Sequence, residues 1–94
     1  MNRRAVDIIR NGKRFETEHF IFCWKYGDFP RAGFLMSGRY VNSVTRNRVK
    51  RIFRILVKNS LKKIDVVIRA KLNFEGITKE EIEREWEIFM RQVY

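Results

Sequence analysis

The chain has 94 residues, enough for one domain, and its 21 Lys and Arg outnumber its 11 Asp and Glu to give a formal net charge of +10. Hydrophobic residues make up 45% of the chain, which supports a packed core and excludes a wholly disordered basic tail. The apolar runs are too short for a membrane-spanning helix or a signal peptide, and one Cys23 with one His19 excludes an internal disulfide and a structural zinc site. We therefore expect a single cytoplasmic domain over residues 1–94 with a strong positive field.

The N-terminal third predicts a short helix followed by two strands. Residues 3–10 form a helix that ends at Asn11-Gly12, which is a C-cap signal. Residues 18–26 alternate with period two, as in a strand with one buried face. One face carries Phe20, Phe22 and Trp24, and the other carries His19, Ile21, Cys23 and Lys25. The turn at residues 27–30 predicts a hairpin between this strand and a second strand over residues 32–37.

The remaining elements are a long helix, a strand and a capped C-terminal helix. Residues 43–60 form a helix that Asn42 or Ser43 can cap, and residues 64–70 form a strand rich in β-branched residues. The apolar stripe of the long helix consists of Val49, Ile52, Phe53 and Leu56. Thr78 and Glu81 form a capping-box pattern that begins the last helix. Its apolar stripe consists of Ile82, Trp86, Phe89, Met90 and Val93 and predicts a packing helix without a site.

The positive charge is concentrated in the first two thirds of the chain. Residues 1–63 hold 16 Lys and Arg against 4 Asp and Glu, whereas residues 64–94 hold 5 against 7. The sequence between Asp28 and Asp65 has ten basic residues and no acid. A solvated surface does not require this asymmetry, so it favours a face that binds a polyanion.

The long helix carries this charge in a pattern that opposes its own dipole. Arg46, Lys50, Arg54 and Lys58 follow each other at i+4 spacing, Asn47 and Arg51 lie beside them, and Arg48 lies apart. Cations near a helix N-terminus cost a few tenths to about 1 kcal/mol each, and no acid in the first two turns relieves them. An anion that binds there offsets this cost, so the helix is predicted to bind phosphates.

Residue types that could form a reaction centre are scattered. Cys23 and His19 lie four residues apart in a strand, which separates them by roughly 13 Å. Asp7, Asp28 and Asp65 do not pair with another carboxylate at helical spacing. We therefore predict no catalytic residues and no metal site, and we interpret the chain as a nucleic-acid-binding module. A structural RNA-binding protein, such as a small ribosomal or assembly protein, is the alternative; a helix-turn-helix regulator is disfavoured because strands flank the basic helix.

Residues 37–54 resemble the signature of the bacterial ribonuclease P protein subunit. The match consists of a strand end with Ser37 and Arg39, then Val44, then Arg46, Asn47, Arg48, Lys50, Arg51 and Arg54 on the helix. The order of the other elements agrees with this family over about residues 5–93. The resemblance implies an α/β (α+β) two-layer sandwich with about four strands and three helices. It also implies a left-handed βαβ crossover around the basic helix, an exception to the right-handed rule.

The resemblance also implies a function. The protein would be the non-catalytic subunit of ribonuclease P, the endoribonuclease that removes the 5′ leader of precursor tRNA, and the RNA subunit would carry the chemistry with magnesium. The RNA-binding residues would be Arg39, Arg46, Asn47, Arg48, Lys50, Arg51, Arg54 and Lys58. A leader groove would be lined by Ile9, Ile21, Cys23 and Lys25. The expected partners are one ribonuclease P RNA per protein and precursor tRNA, without a membrane, a small-molecule substrate or a cofactor bound by the protein itself.

The sequence departs from the family pattern at several positions. Val41 stands where the family usually has Gly just before the helix, Gly38 where it has Lys, and Arg69 where it has an apolar strand residue. The family groove is lined by aromatic residues, and Ala5, Ile9 and Cys23 occupy the corresponding positions here. The departures predict a local change in the loop before the helix and a leader groove that lacks its usual base stacking.

Overall fold

A computed structural model describes residues 3–36, 41–60, 62–71 and 73–93. Its elements are α1 (Arg3–Asn11), β1 (Lys13–Glu16), β2 (Phe20–Tyr26), β3 (Arg31–Leu35), α2 (Ser43–Lys58), β4 (Ile64–Ala70) and α3 (Lys79–Met90). The strands form one sheet in the order β1-β2-β4-β3, in which β3 and β4 are parallel and the other neighbours antiparallel. The α+β class, the three helices and the four-stranded sheet are thus confirmed, with α2 connecting two parallel strands. The left-handed sense of that connection stays a prediction.

The predicted hairpin between residues 18–26 and residues 32–37 is wrong. The turn after β2 does lead into β3, but β4 lies between these two strands and pairs with both. Val66, Val67 and Ile68 of β4 are all buried, so this strand is apolar on both faces and suits the centre of the sheet. The side chains of β3 are half-buried or exposed, which suits an edge.

The hairpin that does form joins β1 to β2. Lys13 pairs with Trp24 and Glu16 with Ile21. The sequence of β1, Lys-Arg-Phe-Glu, does not alternate between apolar and polar residues, because only Phe15 packs against the core. This strand was therefore missed by the period-two criterion.

The main core lies between one face of the sheet and helices α2 and α3. Phe20, Phe22 and Trp24 of β2 point into it, as their alternation predicts. The rings of Phe22 and Phe89 stack with centroids 4.3 Å apart, which fixes α3 against the centre of β2. Thr78 caps α3 through the predicted capping box with Glu81.

The opposite face of the sheet carries α1. Ile8 packs against Cys23 of β2 and Val67 of β4 in a second, smaller apolar cluster. The residue after this helix, Gly12, lies where a side chain does not fit, because a Cβ atom there would lie 2.5 Å from the carbonyl oxygen of Ile8 and 2.6 Å from that of Trp24. Two ion pairs fix α1 to the sheet, since Arg4 contacts Asp65 and Lys25 contacts Asp7, each at 2.7 Å.

A buried carboxylate joins α3 to the turn between β1 and β2. Glu85 accepts hydrogen bonds from the Thr17 hydroxyl at 2.5 Å and from the backbone N–H of His19 at 2.8 Å, and its Oε2 lies 2.7 Å from Nδ1 of His19. The predicted apolar stripe of α3 therefore has a buried, hydrogen-bonded carboxylate beside it.

In the described ranges, no helix is long and apolar enough to cross a membrane.

Candidate nucleic-acid interface

Helix α2 is oriented by its apolar stripe. Val49 and Phe53 are fully buried, as predicted, and Val57 joins them. Ile52 and Leu56 are half-buried against the same core, at the border of the stripe. The exposed side of α2 lies opposite this stripe and carries Asn47, Arg51, Arg54 and Lys58.

We refer to Arg46, Asn47, Lys50, Arg51, Arg54 and Lys58 of α2 as the basic face. Asn47, Arg51, Arg54 and Lys58 are exposed, and Arg46 and Lys50 are half-buried. All ion pairs found among the described residues lie outside α2, so the cations of the basic face have no carboxylate partner there. The Nε atom of Arg46 is buried and has no hydrogen-bond partner. A row of cations that the protein does not neutralise is suited to phosphate groups.

Arg48 lies on a different side of α2. Its Nη2 donates a hydrogen bond to the backbone carbonyl of Ile77 at 2.5 Å, which links α2 to the segment before α3. The structure therefore gives Arg48 a half-buried position and a partner within the protein, in agreement with the sequence-based view that it lies apart. Arg39 falls outside the described residues.

The N-terminus of α2 is capped twice. Asn42 accepts a hydrogen bond from the backbone N–H of Thr45 at 2.9 Å, as expected of an N-cap residue. Glu75, from the loop before α3, accepts from the Thr45 hydroxyl at 2.5 Å and from the backbone N–H of Asn42 at 3.2 Å. The first turn of α2 itself holds no acid, as predicted, and the carboxylate at this end of the helix comes from 30 residues away in the chain.

Val41 fits the position before α2 without strain. Its side chain is buried in the main core. All described residues with positive φ are glycines, so Val41 does not adopt the left-handed conformation that would favour Gly. The departure from the family pattern at this position thus adds apolar contact.

Three of the residues predicted for the leader groove, Ile21, Cys23 and Lys25, share the face of the sheet that α1 covers, and the fourth, Ile9, lies on α1 itself. Ile9 and Ile21 are partly buried around the cluster of Ile8, Cys23 and Val67, and Lys25 donates to Asp7. Cys23 is only 2% exposed, and burial raises the pKa of its thiol above the ordinary value. Cys23 therefore packs beneath α1, and the accessible groups on this face belong to the residues beside it.

Two arginines that the sequence analysis did not place in the groove lie on the same face. Arg14 pairs with Cys23 across β1 and β2, and Arg69 pairs with Ile21 across β2 and β4. Because paired residues project to the same side of a sheet, both side chains flank the buried thiol. Arg14 was missed because β1 itself was not predicted, and Arg69 because its pairing partner is set by the position of β4.

The part of the chain that the structure describes holds no group of three or more His, Cys, Asp or Glu arranged to bind a metal ion.

Comparison with known proteins agrees with this geometry. The model of the family described as Ribonuclease P matches residues 3–94. The ribonuclease P protein component of Syntrophus aciditrophicus is 33% identical over 89 residues, covering 88% of this chain and 75% of that protein. The protein of the same name from Finegoldia magna is also 33% identical over 89 residues, covering 87% of this chain and 77% of that protein.

Solved structures show the same fold. The RNase P protein from Thermotoga maritima, in complex with 1-(4-fluorophenyl)-2-thiourea, superposes with a TM-score of 0.80 at 19% identity, covering 98% of this chain and 95% of that chain. The RNase P protein from Staphylococcus aureus gives a TM-score of 0.80 at 19% identity and covers 98% of this chain and 90% of that chain.

Proposed function

Because the chain belongs to the ribonuclease P protein family and is a protein component of that enzyme, we propose that the basic face of α2 is where it binds the ribonuclease P RNA. The observation that carries this assignment is the absence of carboxylate partners for the α2 cations within the described part of the chain. Cations without carboxylate partners favour the binding of a polyanion, and counterion release on binding adds to the affinity. Arg51 and Arg54 are exposed and present guanidinium groups suited to phosphate oxygens. Arg39, which precedes α2 in the chain, belongs to the same proposed set, and Arg48 contributes by fixing α2 to the neighbouring loop.

The second part of the proposal concerns the substrate. Precursor tRNA contacts the α1 side of the sheet with its 5′ leader, along Ile9, Ile21 and Lys25. Cys23 is buried beneath this surface and supports it from below. Arg69 lies on the same face and Arg14, which pairs with Glu16 at 2.9 Å, lies beside it, so phosphate contacts by Arg69 replace part of the aromatic stacking that is usual in this family.

The chemistry is assigned to the RNA subunit. One protein binds one ribonuclease P RNA, the RNA hydrolyses the phosphodiester bond with magnesium, and the protein raises substrate affinity and assists magnesium binding. A structural RNA-binding protein with another role is not favoured, given the family match over residues 3–94.

The test is cleavage of precursor tRNA at low magnesium by the cognate RNA, with and without the protein. The protein is expected to stimulate cleavage when the RNA is present and to cleave nothing alone. Arg51→Ala should reduce both RNA affinity and stimulation, whereas Arg84→Ala, an exposed arginine on α3, serves as the matched control and should change neither. Cleavage by the protein without RNA would refute the assignment of chemistry, and equal effects of the two variants would refute the assignment to α2.

The salt dependence of RNA binding tests the phosphate contacts directly. The logarithm of the binding constant should fall with the logarithm of salt concentration by about 0.7–0.9 per neutralised phosphate. Arg51→Ala should reduce this slope by about one contact. A slope near zero for the unmodified protein would exclude a phosphate-based interface.

A further inference from the structure

A cavity of about 300 Å³ lies between the C-terminal half of α2 and the beginning of the edge strand β3. It is lined by Pro30, Arg31, Ala32, Arg54, Val57 and Lys58. Three of the six lining residues are cations and none is an acid. The volume is at the lower end of the range of roughly 300–1,000 Å³ that is typical of ligand sites, which suits one nucleotide-sized group.

An exposed aromatic ring stands beside this cavity. Phe29 is 50% exposed, and the guanidinium carbon of Arg31 lies over its ring, 4.0 Å from the centroid. Such a pair presents flat surfaces on which an unstacked base can stack. Asp28 is the acid next to this pair in the chain, and it is exposed to solvent rather than among the residues that line the cavity.

The cavity is continuous with the basic face. Arg54 and Lys58 belong to both, one helical turn apart on α2. The guanidinium carbon of Arg54 lies 5.2 Å from the centroid of the Phe34 ring, so contact with β3 restrains this side chain, which lines the cavity. A nucleic-acid strand that follows the cations of α2 towards its C-terminus therefore reaches the cavity and the Phe29 ring in turn.

We propose that this cavity binds a single unstacked nucleotide of the RNA that occupies the basic face. The base stacks on Phe29 and Arg31, and the adjoining phosphate is contacted by Arg54 and Lys58. This inference rests on the proposed function, because it concerns the same bound RNA. It adds a stacking contact to an interface in which the protein otherwise binds the RNA through charge. It also gives the exposed Phe29 a role that folding does not require, since the main core does not include this residue.

The experiment compares two exposed aromatic residues at the two ends of one turn. Phe29→Leu removes the flat ring but keeps an apolar side chain, and Tyr26→Leu is the matched control, since Tyr26 is 51% exposed and lies 5.4 Å from a cation, Lys13. With the ribonuclease P RNA as the probe, Phe29→Leu should weaken binding about tenfold without changing the salt slope. Tyr26→Leu should leave both unchanged. Phe29→Tyr, which restores the ring, should restore the affinity.

The phosphate part of the proposal is tested with Lys58→Gln, which should reduce the salt slope by about 0.7–0.9. Chemical probing of the RNA in the complex should show one base that is protected by the unmodified protein and by Phe29→Tyr, and accessible with Phe29→Leu. Thermal melting of each free variant verifies that the fold is retained.

The outcomes separate this inference from the proposed function. If Arg51→Ala weakens RNA binding while Phe29→Leu binds like the unmodified protein, the nucleotide site is refuted and the basic face stands. If Arg51→Ala also has no effect, the proposed function itself is refuted. Loss of affinity with Tyr26→Leu equal to that with Phe29→Leu would also overturn the nucleotide site, because the effect would then not be specific to the cavity.

Discussion

Glu75 and Thr45 are 30 residues apart in the chain, and Oε1 of Glu75 accepts a hydrogen bond from the Thr45 hydroxyl at 2.5 Å. The same carboxylate accepts from the backbone N–H of Asn42, so a negative charge from the loop before α3 lies at the positive end of α2. This contact stabilises a helix whose first turns carry Arg46, Arg48 and Lys50. It also occupies the helix N-terminus, and RNA phosphates are therefore expected along the side of α2 rather than at its end.

Glu75→Gln should lower the stability of the fold and strengthen RNA binding slightly. The amide keeps a hydrogen-bond acceptor but removes the charge that complements the helix dipole, a loss of about 0.5–1 kcal/mol. Removing a negative charge near the basic face also reduces repulsion of phosphates, an effect that added salt should screen. Urea unfolding and RNA affinity at two salt concentrations measure both effects. A variant as stable as the unmodified protein would show that the carboxylate does not stabilise α2.

The elements were predictable where hydrophobic periodicity was strong, whereas the predicted order of the strands in the sheet was wrong. The alternation of Phe20, Phe22 and Trp24 and the capping box at Thr78 and Glu81 both depend on local chemistry, and both are confirmed. The false hairpin between β2 and β3 arose because a turn shows that two strands follow each other, not that they pair. β4 lies between them because both of its faces are apolar, and a central position in the sheet buries both faces.

The candidate site was predictable to a similar degree. The side of α2 that carries the basic face followed from the burial of Val49 and Phe53, which is a local pattern. The contacts of Glu75 with Thr45 and of Arg48 with Ile77 join segments about 30 residues apart. The spacing of residues within α2 therefore does not predict them. The cavity beside Phe29 likewise forms only when β3 packs against α2.

Replacing Glu85 by Ala should destabilise the protein by about 3 kcal/mol. The substitution leaves the His19 backbone N–H without its acceptor, removes the contact with the His19 ring, and leaves the Thr17 hydroxyl only the carbonyl oxygen of Phe20 at 3.4 Å. Glu87→Ala, an exposed position on the same helix, is the control and should stay within about 0.5 kcal/mol of the unmodified protein. Urea unfolding followed by tryptophan fluorescence measures the difference. Equal stabilities of the two variants would mean that the buried carboxylate contributes nothing to the fold.

The thiol of Cys23 should react slowly in the native protein. Burial raises its pKa above the ordinary value of about 9, and the nearby Arg69 and Arg14 offset this only in part. Alkylation by iodoacetamide at pH 7.5 should therefore be at least about tenfold slower in the native state than in urea, since the thiolate is the reactive form. Equal rates in the two states would show that the thiol is accessible.

The same pKa shift predicts a loss of stability at high pH. Because the pKa is raised on folding, the stabilisation is fully present below the ordinary value of about 9 and is lost as pH rises through the folded-state value. The unmodified protein should therefore lose more stability between pH 8 and pH 10 than Cys23→Ala, which has no group to titrate at this position. Parallel pH profiles for the two proteins would contradict the shift.

Asn47→Ala should affect RNA binding without destabilising the fold. Asn47 is an exposed, uncharged member of the basic face, and Ala has the higher helix propensity by up to about 0.7 kcal/mol. If the side chain hydrogen-bonds the RNA, its loss should weaken affinity for the ribonuclease P RNA by about 1 kcal/mol, roughly fivefold. Asn59→Ala, at the other end of α2, is the matched control and should leave RNA affinity unchanged. Unchanged affinity for both variants would remove Asn47 from the interface.

Arg46→Ala and Phe53→Ala should have opposite effects, because Phe53 is fully buried in the main core, whereas Arg46 is half-buried and has no carboxylate partner among the described residues. Phe53 is fully buried, with its ring 5.0 Å from that of Phe20 and 6.2 Å from that of Trp86, so its truncation leaves a cavity that costs roughly 3–5 kcal/mol. Arg46 has a buried Nε atom without a partner, so the fold loses little when the side chain is removed. RNA affinity should fall on the order of tenfold with Arg46→Ala, because a charge-assisted contact to phosphate is lost.

The decisive measurement for this pair is thermal melting of each variant together with its affinity for the ribonuclease P RNA. Phe53→Ala should melt at a much lower temperature, and Arg46→Ala should melt close to the unmodified protein. If Arg46→Ala instead lowers the melting temperature as much as Phe53→Ala and binds RNA normally, the side of α2 that faces the RNA is not the one defined by Arg46, Lys50 and Arg54. The assignment of the basic face would then be wrong even though the packing of Phe53 stands.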